Sequence, residues 1–415
     1  MTITRALPFL VTVLVLLAAP GLLPEPLLIG AIQVLIAVLF ATAFGFLVGQ
    51  AGLLSFGHAA YFGVGAFAAV HAMNALNGAG LLPTPLVPLA GAAMGLLMGV
   101  VAGYLSTTRS GTYFAMITLA LAELLYAIAP NLGGLFGGEG GISSFRAPAW
   151  GISFGSPKEV YYLTLFWVVL SIGLLWAVTW TPFGRLALGL RENTQRLKFL
   201  GYNTHLLATM AFAISAIFSG IAGALQTLNI EAANYVVFDI NISTVVVLNT
   251  FIGGARTFLG PAIGAAIMTF FGYLTADVTR NWLLYQGLIF VLVMMYMPLG
   301  IVGTAQAICR GELQPFKDMR VFILRAVGII AIVAAAVLSA ELLQRFFSTD
   351  YEAARLGGVW PPVNFIDYAW GPFALTTWAI PLLLTAFGGA LLRSARSIAG
   401  TAAVKAAETQ SRAAS

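Results

Sequence analysis

Three histidines, one cysteine and 15 carboxylates are the side chains of this chain best suited to ligate metals, attack substrates or move protons. They are scattered. His58, His71 and His205 stand far apart, and Cys309 is alone. A structural zinc site takes four nitrogen or sulfur ligands, so no dedicated metal site is expected. One cysteine also excludes an internal disulfide. No nucleophile sits in a pattern that points to a base and an orienting third group. The sequence also lacks the Gly-x-x-x-x-Gly-Lys-Ser/Thr loop that cradles a nucleotide's phosphates. What remains is the handling of polarity inside an apolar medium. Glu123 lies within a long apolar run, where an ionised acid costs about 2.5–3.5 kcal/mol on insertion scales and usually faces a cavity or a partner. Gln50, Ser55 and His58 gather around Gly52 and Gly57, a pattern that suits a polar-lined broken helix. The same glycines serve packing equally well, with His58 bonding a carbonyl. With the weaker Asn249, these residues are the candidates for a translocation pathway; His71 and Asp277 carry less signal still.

A second group of polar residues is concentrated rather than scattered. Only 8% of the chain is charged, yet "TPFGRLALGLRENTQRLKFLGYNTH", from Thr181 to His205, holds Arg185, Arg191, Glu192, Arg196 and Lys198 between two hydrophobic runs. Leu186, Leu190, Leu197 and Leu200 recur at helical spacing and predict one apolar side. Glu192 and Arg196 are placed for an i,i+4 pair. Gly201 allows a turn, and Asn203 can cap the helix that follows. Such a helix either lies at the lipid interface, held by its basic residues, or docks its leucines into a groove of a cytoplasmic protein with its charges at the rim. His205 reads as a loop residue rather than a ligand.

The elements that must position these residues follow from composition. Of 415 residues, 60% are hydrophobic, with a mean hydropathy of +0.94. A soluble domain carries about a quarter charged residues. Lipid is therefore the solvent, and a helix needs roughly 20 apolar residues to cross the ~30 Å hydrocarbon layer. The net charge of +5 is explained by basic cytoplasmic loops, without nucleic acid. Spans are expected near 6–23, 27–48, 51–73, 84–105, 112–130, 159–180, 206–228, 241–255, 258–276, 282–305, 321–345 and 373–392. The pair 241–255 and 258–276, interrupted by Gly253, Gly254 and Gly260-Pro261, reads equally as a re-entrant hairpin. Arg5 and the run to Ala19 look like a signal peptide. The poor cleavage pattern at Ala18-Ala19-Pro20 makes a retained first span the expectation. With both termini cytoplasmic, 15 of the 20 Lys and Arg fall inside. Gly91, Gly95, Gly99 and Gly103 share one helix face and predict close helix contact. The glycine-rich outer loop 131–158, with Glu139, is either a mobile lip or a solvated linker.

Five ordered stretches carry a resemblance. They are "GQAGLLSFGHAAYFGVGAF" from Gly49, "GTYFAMITLALAE" from Gly111, "RENTQRLKFLGYN" from Arg191, "AFAISAIFSGIAGAL" from Ala211 and "FIGGARTFLGPAIGA" from Phe251. Together, over roughly residues 27–303, they resemble the permease subunits of branched-chain amino acid ABC importers, nearest the LivM-like subunit. The resemblance implies an all-α polytopic bundle with no ATPase of its own. It implies two cytoplasmic ATP-binding subunits, a second related permease, and a periplasmic or extracellular solute-binding protein, in a bacterial inner membrane. ATP would be bound by the partner subunits, and this chain needs no cofactor. The loop matching 181–205 would hold the coupling helix, with Arg185, Arg191, Glu192, Asn193, Arg196, Leu197, Lys198, Leu200 and Gly201 as its residues. Two places depart from the family pattern. The run from Thr194 to Phe199 is basic where the family is acidic and Ala-rich, and Ala255-Arg256 replaces further small residues.

The organisation expected is therefore a permease domain over 1–303, a cytoplasmic linker over 304–320, an appended two-helix membrane module over 321–393 and a disordered tail over 394–415. The expected function is non-enzymatic import of branched-chain amino acids or similar solutes by alternating access. A urea or aromatic-acid permease remains open. An ion-coupled secondary transporter would need acids in several spans, where Glu123 stands essentially alone.

Overall fold

The computed structural model describes residues 14–75, 81–276, 279, 281–310, 319–349, 351–352, 360–365 and 368–413. It is built of helices, in two compact units: residues 1–277 with 286–306, and residues 278–285 with 307–415. Eight helices among the described residues are long and apolar enough to cross a membrane. The twelve expected spans are not matched one for one. Residues 6–13 of the first lie outside the described residues, and four others, 51–73, 241–255, 258–276 and 282–305, are shorter or divided for local reasons given below.

In the first unit, α1 (Glu25–Phe46) runs into a π-helical turn, Leu47–Ala51. Helix resumes only at α2 (His58–Asn74). The chain is therefore broken across 52–57, inside the expected span 51–73. Then come α3 (Pro88–Ser106), α4 (Thr112–Ile128), α5 (Pro157–Trp180), α6 (Pro182–Phe199) and α7 (Thr204–Ile230). The helix starts are written locally. Ser156 and Glu159 form a capping box at α5, and Asn203 accepts from the Leu206 amide at α7. The pair 241–255 and 258–276 forms two short helices, α8 (Ile240–Gly253) and α9 (Gly260–Ala276). With 14 residues α8 rises about 21 Å, short of the ~30 Å hydrocarbon layer. The expected span 282–305 divides into α10 (Trp282–Tyr296) and α11 (Gly300–Cys309). Pro298 supplies no amide there, and Gly300 has φ 72°.

Helix α7 is the centre of the first unit, with α2, α3 and α1 packed around it. Its contact with α3 is made by backbone, as the glycine face predicts. A Cβ on Gly91 would stand 2.4 Å from the Gly220 carbonyl oxygen, and one on Gly95 2.4 Å from that of Ala216. On the other side, a Cβ on Gly223 would meet the Phe62 carbonyl at 1.8 Å. Dispersion and weak polar contacts at such closeness are what hold helices together where lipid removes the hydrophobic drive. The hairpin α8–α9 is equally close, with Gly264 against the Asn249 carbonyl.

Loop 131–158, expected as a mobile lip or a solvated linker, is instead a folded cap. Ile142–Ser143 pairs with Ala232–Ala233, forming strands β1 and β2. His71 bonds the Leu135 carbonyl, the Asn74 amide donates to Ser143, and Thr84 donates to Ala147. Glu231, at the left-handed end of α7, takes the Arg146 amide at 3.0 Å and pairs with its guanidinium at 3.1 Å. Each partner sits at a helix end, so the loop has polar anchors at intervals along its length.

The second unit contains α12 (Met319–Phe346), α13 (Leu375–Ala413) and a hairpin of β3 (Val363–Phe365) and β4 (Tyr368–Trp370). Gly328 and Gly388 let the two helices touch backbone to backbone. Buried Glu341 accepts hydrogen bonds from the Thr279 and Tyr285 hydroxyls and faces Arg345 at 3.6 Å. Asn281 donates to Gln344 at 2.6 Å. Helix α13 runs on to Ala413, across the stretch expected to be irregular, because its alanines carry the highest helix propensity. Of the expected linker 304–320, residues 311–318 lie outside the described residues, and 304–309 belong to α11.

Candidate functional site

The charged segment is two helical legs, not one. Thr181 caps the first leg by accepting from the Gly184 amide, and Pro182 opens it. Asn193, at φ −159° and ψ 93°, ends it. Its Oδ1 then accepts from the Arg196 amide at 3.0 Å, which caps the second leg. That leg closes on Gly201, at φ 86°. The Gly201 amide bonds the Lys198 carbonyl and the Tyr202 amide bonds that of Leu197, the Schellman pattern. The break separates Glu192 from Arg196, so the expected pair between them does not form.

The break also resets which residues face inward. Leu190 and Leu197 are buried with Ala208, and Leu186, Leu207 and Leu53 pack around them. Leu200, expected on the same side, is 65% exposed because the second leg has ended before it. The leucines thus grip this chain's own bundle instead of offering a groove-filling face. Arg185, Glu192, Arg196, Lys198, Phe199 and Tyr202 are exposed, with Phe199 at 89%. Arg191 differs from its basic neighbours, since its Nη1 donates to the carbonyl of Gly49 in the π-helical turn. His205 sits in the first turn of α7, with Nδ1 3.0 Å from the Thr107 hydroxyl.

The pathway candidates divide into three places. Ser55 and His58 are fully buried at the broken helix, and Gln50 is half-buried in the turn before it. The Ser215 hydroxyl donates to the Ala43 carbonyl at 2.7 Å, so His58 Nε2 donates to Ser215 Oγ at 2.8 Å. The ring is enclosed by Phe40, Phe44, Tyr61 and Phe212. Asn249 is buried on α8 and accepts from the Gln286 amide at 2.9 Å. Glu123 is exposed on α4, in a stripe with Tyr113, Met116, Leu124 and Ile128. The structure therefore brings Gln50, Ser55 and His58 together and leaves Glu123 and Asn249 apart from them.

The broken helix is fastened by residues that the sequence did not single out. Thr118 accepts from the Phe56 amide at 3.2 Å, and Ser243 accepts from the Ala59 amide at 2.9 Å. In sequence these are lone hydroxyls in apolar helices, indistinguishable from those that merely bond their own preceding turn. A cleft of about 240 Å³ opens between residues 52–56 and 111–115, beside the break and at the end of the bundle that carries α6.

Residues 27–298 match the family model described as the branched-chain amino acid transport system / permease component. The high-affinity branched-chain amino acid transport system permease protein LivM of Escherichia coli (strain K12) is 26% identical over 71% of this chain and 74% of its own length. LivM of Salmonella typhimurium (strain LT2) is 26% identical over 66% of this chain and 69% of its own. The galactose/methyl galactoside import permease protein MglC of E. coli (strain K12) is 29% identical over 44% of this chain and 55% of its own. No solved structure matches. The match to the family model covers well over half of the 415 residues and takes in the broken helix, the folded charged segment and the glycine-packed core. This chain belongs to the family of branched-chain amino acid transport system permease components.

Proposed function

We propose that this chain is one permease subunit of an ATP-driven importer that moves branched-chain amino acids, or solutes of similar size, across a bacterial inner membrane. A second related permease completes the pathway, and a solute-binding protein delivers from outside. Two ATP-binding subunits act in the cytoplasm, on the side where both termini of this chain lie. The observation that carries this reading is the folded segment of α6. It exposes Arg185, Glu192, Arg196, Lys198, Phe199 and Leu200 while burying Leu190 and Leu197 in its own bundle. A helix that merely rests on lipid presents one continuous apolar face to it, whereas here Leu190 and Leu197 turn into the bundle and Phe199 and Leu200 stand exposed beside charged residues. Here an aromatic ring and mixed charge point outward on a scaffold stiffened by Asn193 and Gly201, which suits a protein cleft. Glu123 and its exposed stripe line the pathway where the second permease meets α4. The buried Gln50, Ser55, His58 and Asn249 hold the elements around it.

Photo-crosslinkers at Lys198 and Phe199, in membranes carrying the complete transporter, test this. Adducts with an ATP hydrolase are expected. Adducts with phospholipid alone would remove the importer reading. Purified complex in vesicles then reports the solute: leucine-class amino acids delivered by the binding protein should stimulate ATP hydrolysis where galactose does not.

A further inference from the structure

We propose that Arg191 is a positioning residue that clasps the broken helix, so that movement of the docking segment is delivered to residues 49–57 rather than spread over the whole bundle. This rests on the reading that α6 receives an ATPase. Three contacts define the clasp. First, the π-helical turn gives the Leu47 carbonyl to the Leu53 amide and that of Val48 to Gly52. The next carbonyl in the row, Gly49, accepts from Arg191. Second, Gly52 lies flat against the same arginine. It has φ 71°, and a Cβ there would stand 2.8 Å from Arg191 Cγ and 3.0 Å from its Cα. Third, the opposite side of the turn is backed by the loop before α9, since a Cβ on Gly49 would meet the Ala255 carbonyl at 2.3 Å. The turn is held between segment and loop with no side chain as cushion.

What lies beyond the clasp makes the contact mechanical. Within a few residues the chain is fastened to three helices: Phe56 to Thr118 on α4, His58 to Ser215 on α7, and Ala59 to Ser243 on α8. Each fastening is one polar bond, so a displacement of residues 49–52 reaches all three helices. The cleft between 52–56 and 111–115 supplies room for that displacement. Arginine suits the role because its guanidinium stays charged and holds a carbonyl through a charge-assisted bond. Arg191 is exposed at the surface of the segment, as are Arg185, Arg196 and Lys198, and what sets it apart is the bond to the Gly49 carbonyl.

The test uses the full transporter in vesicles, with Arg191→Ala, Arg191→Lys and Phe199→Ala. Arg191→Ala is expected to keep the ATPase subunits on co-purification while solute moved per ATP hydrolysed falls about tenfold, the rate equivalent of one charge-assisted hydrogen bond. Arg191→Lys, which keeps one donor, recovers part of that ratio. Phe199→Ala releases the ATPases instead. An unchanged ratio in Arg191→Ala overturns the proposal, and so does release of the ATPases in parallel with Phe199→Ala. Should Arg191→Ala fail to fold, Arg191→Gln is read with spin labels at Leu54 and Tyr113, across the cleft. An ATP-dependent distance change in the parent that disappears in Arg191→Gln supports the clasp. The same change in both chains, or none in a transporting parent, overturns it. A parent chain that binds no ATPase at all defeats the importer reading instead.

Discussion

His58 donates its Nε2 proton to a serine whose own proton is already committed to the Ala43 carbonyl. Removing that serine oxygen leaves the buried His58 N–H unmatched. Ser215→Ala is therefore expected to destabilise the purified protein by about 1–3 kcal/mol, seen as a lowered melting temperature in detergent. Ser171 is the contrast. Its hydroxyl is buried with no hydrogen-bond partner among the described residues. Ser171→Ala removes an unmatched polar atom and should leave the melting temperature unchanged or raised, measured in the same scan. Both serines look alike in sequence, as single hydroxyls in apolar helices.

Backbone contact, rather than side-chain interlock, joins the central helices. At α3–α7 the distance from a Gly95 Cβ to the Ala216 carbonyl, 2.4 Å, leaves no place for a side chain, and the listener there is backbone that cannot rotate away. Gly95→Leu should abolish the folded monomer on size-exclusion chromatography, since overpacking of even a few methylenes costs about 1–3 kcal/mol or more. Gly173 on α5 has open space around it, and Gly173→Ala should run as the parent. The second leg of α6, which carries the proposed docking surface, is set by one cap. Asn193→Ala removes the acceptor for the Arg196 amide and should loosen the second leg by about 1 kcal/mol. The readout is faster amide exchange across 194–199, with the first leg unaffected.

At the scale of the whole first unit, the loop contacts fall into two groups. Residues 49–52 touch 191 and 255, and 107 touches 205, at one end. Residues 71 and 74 touch 135 and 143, and 84 touches 147, at the other. In the second unit, the carboxylate of Glu341 serves Thr279 and Tyr285 together. Glu341→Leu leaves both hydroxyls without that acceptor and removes the carboxylate that faces Arg345. Lower thermal stability with uptake retained is the expected result, measured by a melting scan and by solute uptake in vesicles.

Composition alone determined the solvent and therefore the class. With 60% hydrophobic residues and 8% charged, no aqueous core can hide the surplus, and backbone amides in lipid must close their bonds within helices. The helix start at Asn203 and the glycine face of α3 were also legible, because caps and close-approach stripes are local; the same local chemistry at Ser156 and Thr181 went unread. Folding decided what depends on distance between remote residues. It placed Arg191, alone among the basic residues of its segment, against Gly49, and it set Thr118, Ser215 and Ser243 around the break. It turned a glycine-rich loop into a cap. Asn193 is the clearest case: only the packing of Leu197 against Gly189 shows why one amphipathic run must fold back as two legs.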